Sequence, residues 1–370
     1  MKLTEIEEGS TKLLVPVNER LSKKSPVFFN PEMELSRDIT VAIARILKPE
    51  SFCDLLAGSG ARGIRIAKEV GCKVTLNDLN QRAYRLILRN KELNDVNVNV
   101  TNLNANILLS RERFDFIDID PFGSPVTFID SALSAISRNG FLAITATDTG
   151  ALCGTYPKAC RRKYDAISLR TDYYNELGLR ILIGCIARYA ATHELGVIPL
   201  FSHCTRHYFR TYLKISAGRR KADDSLKNVR FIQHCFNCMN RELRNLNELK
   251  ERCRCNSEFN TLGPLWTGKI ADPGFCNSLI EELKNGNFGS KREALRLVQL
   301  ISEETEIDTP YYNIHKAFKK LKAPAQSMEI VIKELKNKGF KAKRTHFSGL
   351  GLRTDADAFT LFDTLHKVKK

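Results

Sequence analysis

From Ser51 to Asp148 short apolar runs alternate with stretches in which apolar residues recur every three or four positions, the pattern of strands separated by helices. Phe52–Ala57, Val74–Asn77, Val96–Thr101, Phe114–Asp120 and Gly140–Thr147 read as strands. Ala61–Val70 and Gln81–Glu92 read as helices, the second placing Ala83, Leu86 and Ile87 on a buried face and Arg82, Arg85 and Arg89 outward. Ile129, Ala132, Leu133 and Ile136 give a further helix the same period. Five strands in this order call for a parallel sheet covered by helices on both faces. Beyond them a helix over about Gly178–Glu194 leads into Val197–Cys204 and Tyr208–Ser216, which have room between them only for a tight turn and so predict a hairpin.

The remainder, from Trp266 to Lys370, carries its own helices and a terminal mixed segment, and predicts a smaller C-terminal α+β domain. The expected division is residues 1–265 with a Cys-rich insertion at about 235–255, then 266–370. A chain of 370 residues is long enough for two cores, and 43% hydrophobic with 27% charged residues is a globular composition. No run approaches the ~20 apolar residues of a membrane span. Met1–Ser10 is acidic and lacks the basic start and apolar core of a secretory signal, so a cytoplasmic location is expected. Eleven cysteines without an export signal are then expected to be reduced. Cys53, Cys72, Cys153, Cys160 and Cys185, in apolar or helical contexts, read as small buried side chains. A net charge of +16 and a pI near 9.4 point to a polyanionic partner, of which nucleic acid is the natural one. Nothing in the chain implies an obligate protein partner.

Candidate chemistry gathers where the strands end. Asp54-Leu-Leu-Ala-Gly58-Ser-Gly60-Ala-Arg62-Gly63 turns the first strand into its helix, and Gly58 and Gly60 allow a tight turn and a close approach to a ligand. The second strand ends in Asn77-Asp78, where a carboxylate could accept both hydroxyl protons of a ribose or simply cap a helix. Together they fit an adenosine cofactor. Arg37, at a helix start after Phe28-Phe29-Asn30-Pro31, could pair with a ligand carboxylate or remain a solvated cation.

The fourth strand ends in Asp118-Ile-Asp120-Pro121-Phe122-Gly123-Ser124-Pro125. A polar residue followed by proline and an aromatic is the arrangement of amino-methyltransferases. A parallel sheet finished by an antiparallel hairpin strand is likewise the class I methyltransferase form of the Rossmann-like fold, whereas nicotinamide-binding folds normally finish on a parallel strand. On this reading Asp120 accepts a proton from an aromatic amine, while Phe122 and Phe28 hold the base. The bland alternative is a strand end capped by Asp-Pro with a core phenylalanine.

The chain also resembles the tRNA guanosine-26 N2-dimethyltransferases, most of all the archaeal ones, over nearly its whole length. The resemblance rests on Gly9-Ser-Thr, Phe28-Phe-Asn-Pro-Glu-Met with Arg37-Asp38, Arg62-Gly-Ile-Arg65, Asp120-Pro-Phe-Gly-Ser and Thr147-Asp-Thr-Gly-Ala-Leu-Cys-Gly154. It continues through Gly263-Pro-Leu-Trp-Thr-Gly268, Arg344-Thr-His-Phe and Arg353-Thr-Asp-Ala. It implies one or two methyl transfers from S-adenosylmethionine to N2 of a guanine in tRNA. Asp120 would be the base, Phe28 and Phe122 the guanine holders, and Arg37, Arg62, Asp78 and Ala105 the donor contacts, joining Asp54, Gly58 and Gly60 of the glycine-rich turn as the candidate cofactor site. Asn104 departs from the acidic residue such enzymes often carry there, so Ala105 is named for its backbone. The residues alone leave open an amino-methyltransferase of another RNA or DNA base, or an RNA-binding scaffold without turnover.

Cys235-Phe-Asn-Cys238 and Cys253-Arg-Cys255 offer four soft ligands in two close pairs, suited to a structural zinc or else four unpaired thiols. Arg206, Arg210, Lys214, Arg219, Arg220 and Lys221 run without an acidic residue among aromatics. With Arg161-Arg162-Lys163 and Lys316, Lys319, Lys320 and Lys322, they read as phosphate contacts or as solvated faces.

Overall fold

Alternation of buried strands with amphipathic helices builds a sheet covered by helices, and seven strands of this chain form one such sheet. The computed structural model describes residues 2–17 and 25–368, so the expected domain ends Met1 and Lys370 lie outside the described residues. Numbered in chain order, the sheet's strands are β1 (Ser51–Asp54), β2 (Lys73–Asn77), β3 (Val98–Thr101), β4 (Phe114–Ile119), β5 (Ile136–Ala146), β6 (Leu195–Thr205) and β7 (Tyr208–Ala217). Their spatial order is β3-β2-β1-β4-β5-β7-β6. The first five are parallel, and β7 runs antiparallel between β5 and β6. This is the expected class I sheet with its closing hairpin. The strand order reverses between β1 and β4, which opens a crevice at their carboxyl ends.

Apolar faces on both sides of the sheet are covered. On one, the helices Val126–Ala135 and Tyr174–Thr192 pack Ile129, Leu133, Leu179 and Ile183 against Ile117, Leu142 and Ile144. On the other, Glu34–Leu47, Ala61–Glu69 and Gln81–Asn94 bring Ile39, Ile43, Ile64 and Ile87 onto Phe52, Leu76 and Phe116. Two later helices, Pro273–Asn285 and Lys291–Glu304, bury Leu279, Leu283, Val298 and Ile301 in that same core. The division expected at 265/266 therefore falls inside a continuous core, because these helices need the outer face of Glu34–Leu47 to cover their apolar stripe.

A separate core forms from Tyr312 onward, with Ile314, Phe318, Val331, Leu335, Leu352, Leu361 and Leu365. It joins three short strands, Tyr312–Asn313, Ala342–Thr345 and Ser348–Thr354, to three helices, Ile314–Lys320, Met328–Asn337 and Ala358–Val368. That is the small α+β unit. The cysteine-bearing loops hang from a three-stranded antiparallel sheet of Val229–His234, Arg241–Arg244 and Asn260–Trp266. Among the described residues no helix is long and apolar enough to cross a membrane.

An N-terminal hairpin of Leu3–Glu8 and Thr11–Pro16, turning at Gly9 and Ser10, was not expected from the pattern. Gly9 takes φ +60°, which a two-residue hairpin loop requires. The hairpin is docked by two asparagines of the Gln81–Asn94 helix. Asn90 exchanges bonds with Leu14 (2.7 and 3.0 Å), and Asn94 with Lys12 (3.1 and 2.6 Å).

Candidate active site

β1 ends at Asp54, β2 at Asn77 and β4 at Ile119, so the residues that follow each strand crowd the crevice. Asn77 is buried and knits three loops together. Its amide donates to Leu55 O and Leu103 O (3.1 Å each) and its carbonyl accepts from Leu103 N (3.0 Å). The Gly-rich turn is held from both ends. Asp54, 3% exposed, accepts from Gly63 N at 2.9 Å, and Asp78 accepts from Gly58 N at 2.8 Å. Burial, with the neighbouring Asp118 charge, raises the Asp54 carboxyl to about 7. Gly58 (φ +57°) lies so close to the Phe28 strap that an added Cβ would stand 3.1 Å from Phe28 O.

Asp78 remains half-buried. Its two oxygens accept from Gly58 N and Asn80 N, two of the roughly four lone-pair positions a carboxylate offers, which leaves capacity for hydroxyl donors. Desolvation raises its pKa, against the pull of these two backbone donors. Ala105 is the first residue of the helix Ala105–Arg111, where backbone N–H groups have no intrahelical partner, and Asn104 caps it by accepting from Asn106 N at 3.0 Å.

Asp120 follows β4 with its side chain 22% exposed, and Arg62 Nη2 donates to its Oδ2 at 2.5 Å. The loop after it is pinned to the end of β5. Gly123 N donates to Thr147 Oγ1 (2.6 Å) and Thr147 N to Gly123 O (2.9 Å), with Gly123 at φ +85°. Phe122 is 49% exposed, and its ring meets Phe28 edge to face, centroids 4.6 Å apart and planes at 82°. A base stacked between two parallel rings would need about 7 Å, twice an ordinary carbon contact. The two phenylalanines thus form a corner, with Phe122 offering the open ring face.

Two expected arginines are already engaged. Arg37 is 5% exposed and bonds Glu8 with both forks, Nε to Oε2 at 2.7 Å and Nη2 to Oε1 at 2.5 Å. It also donates to Asn30 O at 3.2 Å, bracing the Phe28 strap. Arg62, 6% exposed, gives Nη1 to Thr40 Oγ1 (2.7 Å) and sets Nε 3.5 Å from Asp118. Arg210, expected in a phosphate-gripping run, is fully buried against Asp118, Thr145 and Tyr212. The hairpin register splits that run. Arg206 lies at the crevice end of β7, where Ala146 faces Phe209, while Arg219, Arg220 and Lys221 follow Ala217 at the opposite end.

Sequence reasoning missed Glu8, Thr40, Asp118 and Tyr212. Asp118 carried a signal, since side chains two apart in a strand share a face, which puts it beneath Asp120.

The four cysteines come together apart from this crevice. Their sulfurs all lie within 4.8 Å of one another, with Cys235–Cys255 and Cys238–Cys253 at 3.5 Å. A tetrahedron of Zn–S bonds of about 2.3 Å has edges of about 3.8 Å, so the set fits a closed zinc site. The Ser257 backbone N–H lowers the Cys255 thiol to about 6, whereas burial raises the Cys235 and Cys238 thiols.

Residues 7–366 match the N2,N2-dimethylguanosine tRNA methyltransferase family. A tRNA (guanine(26)-N(2))-dimethyltransferase from Methanosphaera stadtmanae is 41% identical, covering 95% of this chain and 93% of its own. The Pyrococcus abyssi protein of the same name is 36% identical, with both chains covered fully. Among solved structures, Trm1 from Pyrococcus horikoshii in complex with S-adenosyl-L-methionine superposes with a TM-score of 0.89. It is 37% identical and covers 98% of this chain and 99% of its own.

Proposed function

This chain belongs to the N2,N2-dimethylguanosine tRNA methyltransferase family, and from that premise we propose that it moves methyl groups from S-adenosylmethionine to N2 of guanosine 26 in tRNA, with Asp120 as proton acceptor. The observation that carries the residue assignment is an Arg62-bound carboxylate at the end of β4 beside the half-exposed ring of Phe122. The guanine amine is a poor nucleophile, because its lone pair is delocalised into the ring. A hydrogen bond from N2 to Asp120 draws the amine out of that conjugation. As the new C–N bond forms and the S–C bond breaks, the amine proton passes to the carboxylate. Phe122 stacks on the purine and Phe28 closes the corner, so N2 is held in line with the reacting carbon; such positioning is worth roughly 7 to 11 kcal/mol.

The donor supplies an electrophilic methyl on a sulfonium. For its binding we assign the ribose hydroxyls to Asp78, the adenine edge to the backbone of Ala105, and close backbone approach to Gly58 and Gly60. Arg37 acts with Glu8 to hold the strap above them, and Asp54 shapes the turn. The four cysteines would hold zinc as a structural ion, since four thiolates leave no ligand position for substrate. We infer that the unit from Tyr312 onward contributes to tRNA binding through Lys316, Lys319 and Lys322, which are exposed along and just after one helix. None of the eleven cysteines is paired in a disulfide, which suits a reducing compartment, and we place the enzyme in the cytoplasm.

Mass spectrometry of nucleosides from tRNA incubated with the protein and labelled donor tests the reading. Mono- and dimethylguanosine at position 26 are expected. Asp120→Ala should bind tRNA and donor yet lose methyl transfer by about 10²-fold or more; retained turnover would remove Asp120 from the base role.

A further inference from the structure

Beneath Asp120 lies a line of charges that alternates in sign: Arg210, Asp118, Arg62, Asp120. Arg210 and Asp118 are completely buried, the Arg62 side chain is 7% exposed, and only Asp120 reaches the crevice. We propose that the Arg210–Asp118 pair aims Arg62 at Asp120, so that all three act as positioning residues for methyl transfer. This rests on the reading of Asp120 as proton acceptor.

The argument begins with competition. Arg62 stands between two carboxylates, its Nε 3.5 Å from Asp118 Oδ1 and its Nη2 2.5 Å from Asp120 Oδ2. A buried, unpaired Asp118 would claim the whole guanidinium, because an uncompensated charge in a dry interior is far costlier than one at the crevice. Arg210 prevents this. Its Nη2 contacts Asp118 Oδ2 directly and its Nη1 lies 3.5 Å from Oδ1, so Asp118 is satisfied from the other side.

Both arginines are then fixed in direction by one hydroxyl. Thr40 Oγ1 donates to Ser36 O (2.7 Å) and accepts from Arg62 Nη1 (2.7 Å) and Arg210 Nη2 (3.1 Å). Tyr212 OH accepts from Arg210 Nε at 2.8 Å, and Thr145 Oγ1 from Arg210 Nη1 at 2.6 Å. With Nε and Nη1 occupied by buried partners, Nη2 is the arm of Arg62 left to point outward. It holds Oδ2 of Asp120, and among the described residues no hydrogen bond engages Oδ1, which is thereby free for the amine. Five elements, the Glu34–Leu47 and Ala61–Glu69 helices, β4, β5 and β7, supply these groups, which is why no local motif shows their pairing.

The test is a charge-removal cycle. Arg210→Met should leave Asp118 to draw Arg62 away and so lower kcat by about 10²-fold, with the tRNA and donor dissociation constants held within about threefold. Arg210→Met with Asp118→Asn also removes the competing carboxylate, lets Arg62 return to Asp120, and should recover at least about tenfold of the lost kcat. Rescue of this kind is not expected if the residues only support the fold. The idea fails if the single variant keeps its kcat, if the loss appears in binding instead, or if a folded double variant is as slow as the single one.

Should Arg210→Met not fold, Arg62→Lys replaces it. A lysine cannot reach Asp118, Thr40 and Asp120 at once, so an undiminished kcat in that variant also overturns the proposal. Asp120→Ala assayed alongside separates the two readings. If it is active, the base assignment fails. If it is dead while Arg210→Met is normal, only the positioning line fails.

Discussion

Phe122 presents half of its surface to solvent beside a carboxylate that leans on a buried arginine, an unfavourable place for a phenylalanine unless something flat covers it. Replacing it by alanine should cost about 1 to 3 kcal/mol in kcat/KM for tRNA, the worth of one base stacked on an aromatic ring. Donor affinity, measured by calorimetry, should hardly change. The placing of Asp120 and Phe122 together after a strand was legible in the sequence, because both belong to one short run at that strand's end. Arg37 and Arg62 were expected as donor contacts, and their partners within the fold, Glu8 and Asp120, were not foreseen. Glu8 is 29 residues from Arg37, Asp120 is 58 from Arg62, and pairing at such separations is set by the fold. Arg210 misled for a related reason. A basic run looks the same in sequence whether a given member points to water or is enclosed by Asp118, Thr145 and Tyr212.

At the scale of elements, the turn from β1 into the helix Ala61–Glu69 depends on a close crossing over β2. A Cβ on Gly63 would fall 2.6 Å from Leu76 Cδ2 and 3.1 Å from Asp54 Oδ2. Gly63→Ala should therefore destabilise the protein by about 1 to 3 kcal/mol, the usual cost of overpacking, and weaken donor binding as the turn shifts. Thermal unfolding and donor titration would show both. The β/α alternation that builds this turn is plain in the sequence, because buried strands and amphipathic helices leave different periods. The N-terminal hairpin is harder to see. Its outer strand buries little, with burial confined largely to Glu8, so hydrophobic alternation gives a weak signal. The Gly9-Ser10 loop was the available clue. The 265/266 division also misjudged which surface covers the two following helices; amphipathicity announces that a helix has a buried face and is silent on its partner.

For the molecule as a whole, the small C-terminal unit rests on two supports. The first is the cysteine module. Met239, between two of its residues, enters the C-terminal core, Lys320 Nζ donates to Asn237 O at 2.8 Å, and the Arg241 guanidinium lies 3.7 Å over the Tyr312 ring. If zinc orders this module, stripping it with a chelator should loosen the unit. Hydrogen exchange from Tyr312 onward should rise and tRNA affinity fall, while donor affinity stays close to that of the intact protein. The second support is a buried polar chain. Glu304 pairs with His346 and Arg353, and Arg353 also pairs with Glu176 at 2.9 Å in the long helix Tyr174–Thr192. Burial alone would raise Glu304, but His346 and Arg353 outweigh it and lower its carboxyl to about 2. A carboxyl depressed in the folded state stabilises above its unfolded value near 4.5 and loses that contribution as pH falls toward 2. Glu304→Gln should flatten the acid dependence of unfolding across that interval, as read by denaturant midpoints.

The same polar chain bears on how the protein can be dissected. A fragment ending before Tyr312 would keep the buried Glu304 and discard both of its partners, His346 and Arg353, while Glu176 would be left with Arg180 as its remaining cationic partner. The Rossmann-like half, although it holds the whole candidate crevice, would inherit a carboxylate stripped of its counter-charges. Chimeras that exchange tails between relatives should therefore carry the Glu304, His346 and Arg353 positions as a matched set, or expect insoluble product.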